Sequence, residues 1–264
     1  MKVKVAINVQ ATHAQKESKM YFKSISVLLI TILLSACSSY AGPIPDRAWS
    51  VSVSMPSFYP VRVTQAYGVN EAQNWTSPLH TFSQFMRISA FENINKRFHE
   101  YDGFGLPIQD YAMNQQKQVI QIKLPPDTLY LYWVSLINTQ FYVTKYTVSE
   151  DVKSLMAQKS LYQNRDGSLG NVCYRTEFVF GLLPNGQAKV WLRGCGEIIY
   201  LTELAPDKVM DRDSHGFGVE KYKQPGSSLE RIHKRAEDAG VLIDPIPWDK
   251  VNKVYSMEEI KSLN

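Results

Sequence analysis

The chain is poor in the residues from which catalytic and metal sites are usually built. Of its 264 residues, three are cysteine and five are histidine. It contains no Gly-x-Ser-x-Gly, the turn that presents a nucleophilic serine; Asp166-Gly167-Ser168-Leu169-Gly170 has the wrong spacing. His99-Glu100 lacks the second histidine of the zinc-protease pattern, and no glycine-rich phosphate loop occurs. No apolar run reaches the about 20 residues that a membrane-spanning helix needs. No catalytic residue, metal ligand set or cofactor is therefore expected.

What is present begins with an address. Ile25 to Ala36 is apolar, follows the short basic stretch Met20-Tyr21-Phe22-Lys23, and ends in Leu34-Ser35-Ala36-Cys37. Too short to span a bilayer, it fits the core of a secretory signal. The ending resembles the lipobox of bacterial lipoproteins, in which a small residue precedes the cysteine that is acylated. That resemblance implies acylation of Cys37 and, with Ser38 and not Asp after it, sorting to the periplasmic face of the outer membrane. Acyl chains alone then supply the membrane affinity, about 0.8 kcal/mol per buried methylene. Residues 1–19 read as an upstream extension or misassigned start, 20–36 as the signal, 37–48 as a tether and 49–264 as one domain.

Charge of one sign is also missing. The whole chain has 29 Lys and Arg against 25 Asp and Glu. Residues 1–36 take away Lys2, Lys4, Lys16, Lys19 and Lys23 against Glu17, which leaves 24 of each sign. A nucleic-acid partner, which requires a clustered basic face, is not expected.

The remaining 228 residues, Cys37 to Asn264, suffice for a single core. The segment "WSVSVSMPSFYPVRVTQAYGV" alternates apolar and polar residues and predicts two short strands interrupted at Pro56 and Pro60. "SQFMRISAF" suits strand or helix, and Glu92 to Gly105 reads as a polar loop. "QVIQIKL" alternates as a strand up to Pro125. "TLYLYWVSLI" and "QFYVTKYTVS" predict an antiparallel pair. Ser149 is placed to cap a helix with Val152, Leu155 and Met156 on one face. Ser227 with Glu230, and Ser256 with Glu259, form capping boxes, the first before a helix that Gly240 stops. These elements predict a mainly β (α+β) domain: an antiparallel sheet or sandwich with a few peripheral helices and a helical C-terminal end.

"FVFGLLPNGQAKVWL" predicts a hairpin with a three-residue loop, Pro184-Asn185-Gly186, so that Leu183 faces Gln187. Cys195 then lies opposite Arg175 and on the same face as Cys173, a diagonal at the limit of disulfide reach. A bulge at Gly194 or Gly196 would close that gap, and a two-residue loop would separate the cysteines. A Cys173–Cys195 bridge is the expectation, two buried thiols the alternative.

Two groups of side chains are candidates for function. Asp211, Asp213 and His215 alternate, with Gly216 where a calcium loop has its glycine, but Tyr222 stands where that loop needs a bidentate carboxylate. An exposed turn is expected there. The central hairpin is crowded with aromatics. Tyr130, Tyr132, Tyr142 and Tyr146 are the candidates for a tyrosine-rich contact surface, set against a sheet buried on both sides.

The lipobox, Trp49 with Pro56 and Tyr59-Pro60, the centre "LPPDTLYLYWVSLINTQFY" and the turn "VWLRGCG" together resemble bacterial lipoproteins of the domain-of-unknown-function 2931 family. Where that family often carries Gly-Pro-Gly after the Trp-Leu pair, this chain has Gly194-Cys195-Gly196. The family has no assigned activity. Some such lipoproteins resemble, in size and location, the immunity proteins that neutralise phospholipase effectors of the type VI secretion system. Location, neutral charge, the aromatic surface candidates and the missing catalytic motifs together point to a non-catalytic binding lipoprotein, with an envelope-targeting toxin or another envelope protein as its expected partner. The alternatives are a structural or assembly lipoprotein of the envelope and, last, an enzyme with an unfamiliar site.

Overall fold

The structure is a computed structural model that describes residues 44–82, 88–164 and 166–263. Cys37, the signal and the tether before residue 44 lie outside the described residues.

Two sheets face each other. Strand β1 (Ser50–Ser54), β2 (Val61–Asn70), β3 (Trp75–Pro78), β4 (Leu106–Pro107) and β5 (Asn114–Lys117) come first in the chain. The central hairpin β6 (Thr128–Ser135) and β7 (Gln140–Thr147) follows, then β8 (Ser160–Gln163), β9 (Leu169–Cys173), β10 (Arg175–Leu182), β11 (Ala188–Gly194), β12 (Glu197–Leu204) and β13 (Lys208–Met210). Short β14 (Val254–Tyr255) and β15 (Ile260–Ser262) end the chain. The six-stranded sheet runs β15-β12-β11-β10-β1-β5, and the five-stranded sheet runs β13-β7-β6-β2-β3. Val51, Val53, Phe178, Phe180 and Val190 from the first pack with Val61, Val63, Leu129, Leu131 and Trp133 from the second in one buried cluster. Fully burying a side chain of this kind contributes about 1.5–3 kcal/mol. The expected α+β sandwich is thus the observed one-domain fold.

The Ser/Val alternation of β1 explains its central position. Val51 and Val53 enter the core, while Ser52 and Ser54 turn to the other face. There the small hydroxyls are satisfied, Ser52 by the Glu177 carboxylate and Ser54 by the Pro107 carbonyl. A strand buried on both faces can therefore be half serine. Its pairing with β10 is parallel, so the six-stranded sheet is mixed.

Helix α1 (Ile88–Arg97) occupies the stretch expected to start a polar loop. Of its residues, Ile94 is buried in a small cluster with Tyr101 and Ala112, and Phe91 packs against the same cluster and the Phe58 ring, which holds the helix to the domain. Helix α2 (Glu150–Ala157) forms as expected, with the Ser149 hydroxyl accepting from Val152 N–H at 3.4 Å. The short helix α3 (Val219–Tyr222) precedes α4 (Ser228–Asp238), whose Ile232 and Ala236 are buried and which Gly240 follows at φ 64°. In α4 neither bond of the capping box forms: Glu230 accepts from Gly226 N–H, one residue before the cap, Ser227 N–H donates to the Gln224 carbonyl, and the Ser227 hydroxyl makes no cap bond. A last single turn, α5 (Trp248–Val251), leads into β14.

Two further expectations fail. "QVIQIKL" is not a strand. Gln118 forms one bridge with Leu79, and Val119 and Ile120 are exposed. The Gln118 amide is buried and committed locally, donating to the Trp49 and Ile122 carbonyls and accepting from the Ser77 hydroxyl. A loop organised around one buried amide reads as an alternating strand in sequence. The second capping box starts no helix either. The Ser256 hydroxyl accepts from Glu258 N–H, and the chain then extends as β15 beside β12, with Ile260 opposite Ile198. Ladder pairing and burial of Ile260 outweigh the local helix signal.

Candidate functional site

The outer face of the five-stranded sheet carries a row of tyrosines. Tyr67 on β2 pairs across the sheet with Tyr130 on β6, and Tyr130 pairs with Lys145 on β7. The Tyr67 ring stacks on Tyr130 at 5.2 Å and on Tyr132 at 6.2 Å, and the Tyr67 and Tyr132 hydroxyls lie 3.5 Å apart. The Lys145 ammonium sits 5.9 Å from the Tyr130 ring centre, a cation–π contact. All three rings are half-buried. Burial, with the neighbouring Tyr132 hydroxyl, pushes the Tyr67 phenol well above its ordinary pKa, so it is a neutral hydrogen-bonding group. Side chains fixed in a regular sheet lose little entropy when a partner docks.

Of the four tyrosines that are candidates for the contact surface, Tyr130 and Tyr132 lie on the outer face, half-buried. Tyr142 and Tyr146 do not. Both point inward, where Tyr142 packs on Trp133 at 4.8 Å and Tyr146 packs edge-on against Phe178 and Phe180. They belong to the core because the second sheet covers that face of β7.

Sequence reasoning missed Tyr67, and the cause is specific. The register of β2 against β6 shifts between Val63 and Gln65. Val61 and Val63 face the core, yet after the irregularity Ala66 and Gly68 do, and Tyr67 is turned outward. One extra residue inverts the parity of the rest of a strand. Gly68 then lies under the Trp49 ring, where an added Cβ would come within 2.6 Å.

The two remaining cysteines are joined, with Cα atoms 5.4 Å apart. Near the loop the hairpin register is as expected, with Leu183 accepting from Gly186 and donating to Gln187 across Pro184-Asn185-Gly186, but it shifts between Glu177 and Arg175, so that Arg175 faces Gly194 and not Cys195. The route to the bridge differs from expectation. Cys173 ends β9, which pairs with β8 and not with β11. Cys195 occupies a two-residue turn between β11 and β12, at φ 60° with Gly196 at φ 75°. Both are left-handed, as a hairpin turn matching the strand twist requires. At Gly196 an added Cβ would lie 2.2 Å from the Gln163 carbonyl oxygen, so the glycine also permits close approach of the β8–β9 ribbon.

Beside this turn lies a cleft of about 710 Å³, lined among others by Arg47, Gln115, Lys117, Tyr162, Arg193 and Glu197. Its central charges are mutually committed. Arg193 is held between Glu177 and Asp110. Burial opposes its charge, but the two carboxylates more than offset that and raise its pKa. Buried Arg175 pairs with Glu197, which also receives Lys261. For Glu197 burial acts upward, and the Lys261 and Arg175 contacts hold the carboxyl below its ordinary value.

The Asp211–Asp213–His215 segment does not converge. Asp213 is buried and spent on its own loop, its carboxylate accepting from His215 N–H and Phe217 N–H, each at 2.9 Å, and from the Tyr222 hydroxyl at 2.7 Å. Asp211 and His215 are exposed. Among the described residues no three His, Cys, Asp or Glu side chains are grouped to hold a metal ion.

A family model described as a protein of unknown function (DUF2931) matches residues 13–249. No curated protein and no solved structure matches the chain.

Proposed function

The chain belongs to the DUF2931 family, a family of proteins of unknown function, and from that premise we propose that it is a non-catalytic binding lipoprotein. In this reading Cys37 is acylated, the domain faces the periplasm from the outer membrane, and a protein partner docks on the Tyr67–Tyr130–Tyr132 face. The partner we propose is an envelope-targeting toxin of the phospholipase kind, which makes the chain an immunity protein. The observation that carries the binding role is the tyrosine row itself, three half-open rings preorganised by stacking on a sheet. Tyrosine is enriched where interface energy concentrates, and anchors of this type are worth about 2 kcal/mol or more each.

The test is survival of cells that direct a co-encoded effector to the periplasm, with and without variants of this protein. Tyr67→Ala and Tyr130→Ala should abolish protection while the protein remains folded and abundant. Asp211→Asn with His215→Ala should leave protection intact. The opposite pattern would overturn the binding reading in favour of an enzyme. Capture of an envelope assembly component on the same face, with no effect on survival, would favour the assembly role.

A further inference from the structure

Strands β8 and β9 pair only with each other, as a two-stranded ribbon apart from both main sheets. A ribbon of this size is marginal by itself. Here it is fastened to the domain by the Cys173–Cys195 bond, by Gln163 N–H donating to the Cys195 carbonyl at 2.9 Å, and by Arg175 donating to the Ser160 hydroxyl. Yet its side chains are apolar and open. Leu161 and Val172 face each other across the ribbon and are 44% and 57% exposed; Tyr162 and Leu169 are 45% and 62% exposed. A rigidly held ribbon showing four large apolar side chains to solvent calls for a partner surface.

Two observations indicate what that surface is. The first is position. Asp46 and Arg47 line the same cleft as Tyr162 and the bridged cysteines, so the described chain starts beside the ribbon. Cys37 is seven residues before Ile44, a span of about 24 Å at full extension. A lipid on Cys37 therefore keeps this side of the domain close to the bilayer. The second is charge. The acidic groups around the cleft are largely neutralised internally: Asp46 by Lys123, Asp110 and Glu177 by Arg193, Glu197 by Arg175 and Lys261. Arg47, Lys117 and Lys159 form no ion pair among the described residues, and Lys159 is near enough to Asp46 to help lower its carboxyl pKa. Against these three cations stand Glu258 and, in the ribbon's own turn, Asp166, which accepts hydrogen bonds from Ser168, so the patch keeps a net positive charge.

We propose that the Ser160–Cys173 ribbon, with Arg47, Lys117 and Lys159 beside it, is a second membrane contact that seats on an anionic bilayer surface. Leu161, Val172 and Leu169 enter the boundary between headgroups and acyl chains, Tyr162 sits at headgroup level, and the cations meet lipid phosphates. The contact fixes the orientation of a domain that an anchor at Cys37 alone would leave free to rotate. The inference rests on the acylated Cys37 of the proposed function.

The test uses the full protein purified from membranes and reconstituted in two kinds of vesicle. One contains phosphatidylethanolamine with phosphatidylglycerol, the other phosphatidylcholine alone. The mass of the Cys37 peptide reports acylation, and amide hydrogen exchange reports the contact. Amides of residues 160–173 should exchange about threefold or more slowly on the anionic vesicles, with residues 205–218 unchanged. Leu161→Asn with Val172→Asn, and separately Lys117→Gln with Lys159→Gln, should remove the protection. Equal exchange on both vesicles, with Cys37 acylated, would overturn the membrane contact and leave the anchor standing. An unacylated Cys37 would overturn the anchor and this inference with it. A ribbon protected equally in detergent at high protein concentration would indicate contact between copies of the chain and would also overturn the proposal.

Discussion

Tyr67 and Tyr130 stack at 5.2 Å on the outside of the sheet, while Tyr146, on the neighbouring strand, is buried against Phe178 and Phe180. The same residue type on adjacent strands is therefore set to different uses by which face of the sheet is covered. Truncating each should separate them. Tyr146→Ala should lower unfolding free energy by about 3–5 kcal/mol, the cost of a cavity left by a large ring. Tyr130→Ala should lower it by only about 0.5–1.5 kcal/mol, the worth of an aromatic pair. Urea unfolding of both variants measures this, and equal losses would show that the Tyr130 face is part of the core.

Removing the bridge should cost more than the thiols alone would suggest. Cys173 and Cys195 are 22 residues apart in sequence. Closing a loop of that size stabilises a domain by about 3 kcal/mol in the chain-entropy account. Cys173→Ser with Cys195→Ser should lower stability by that order. Thiol labelling of the denatured, unreduced protein should find neither cysteine reactive.

Gly196→Ala should be among the more damaging single methyl additions. It places a side chain at φ 75° and within 2.2 Å of a backbone carbonyl that cannot move without shifting the ribbon. A loss of about 2 kcal/mol or more is expected, together with faster amide exchange in residues 160–173. Gly216→Ala, also at positive φ but with open space around it, should cost less.

Stability should fall on the acid side of the ordinary carboxylate range. Burial works against the Asp127 charge. The Lys153 ammonium at 2.7 Å and the backbone N–H of Glu71 outweigh it, so the carboxyl titrates below its ordinary value. Glu197 is held low in the same way by Lys261 and Arg175. A carboxyl whose folded pKa is depressed binds fewer protons folded than unfolded. Its stabilisation is therefore complete above the unfolded pKa and is lost as pH falls through the folded one. Unfolding free energy should be level above about pH 5 and decline below about pH 4.5. Asp127→Asn with Glu197→Gln should flatten that decline, measured by urea midpoints across pH.

Local residue pattern was enough to mark which segments were two-faced and where the chain had to turn. Alternation marks β1, β2, β6 and β7, and Pro-Asn-Gly sets the Leu183–Gln187 register, because both signals are carried by residues within a few positions of each other. The cap at Ser149 is local in the same sense. Tertiary structure alone decided which face was covered. Alternation is symmetric between the two sides of a strand, so it sorted the tyrosines of the central hairpin into two sets without saying that Tyr142 and Tyr146 were the buried one. The irregularity after Val63 inverted β2 and brought Tyr67 out, and nothing in the local sequence records a bulge that depends on the partner strand. Likewise the bridge between Cys173 and Cys195 needed β9 to leave the main sheet and the chain to reverse at Gly196, two events fixed by long-range packing. Local chemistry chooses what a segment can be; the surface it meets chooses which side of it matters.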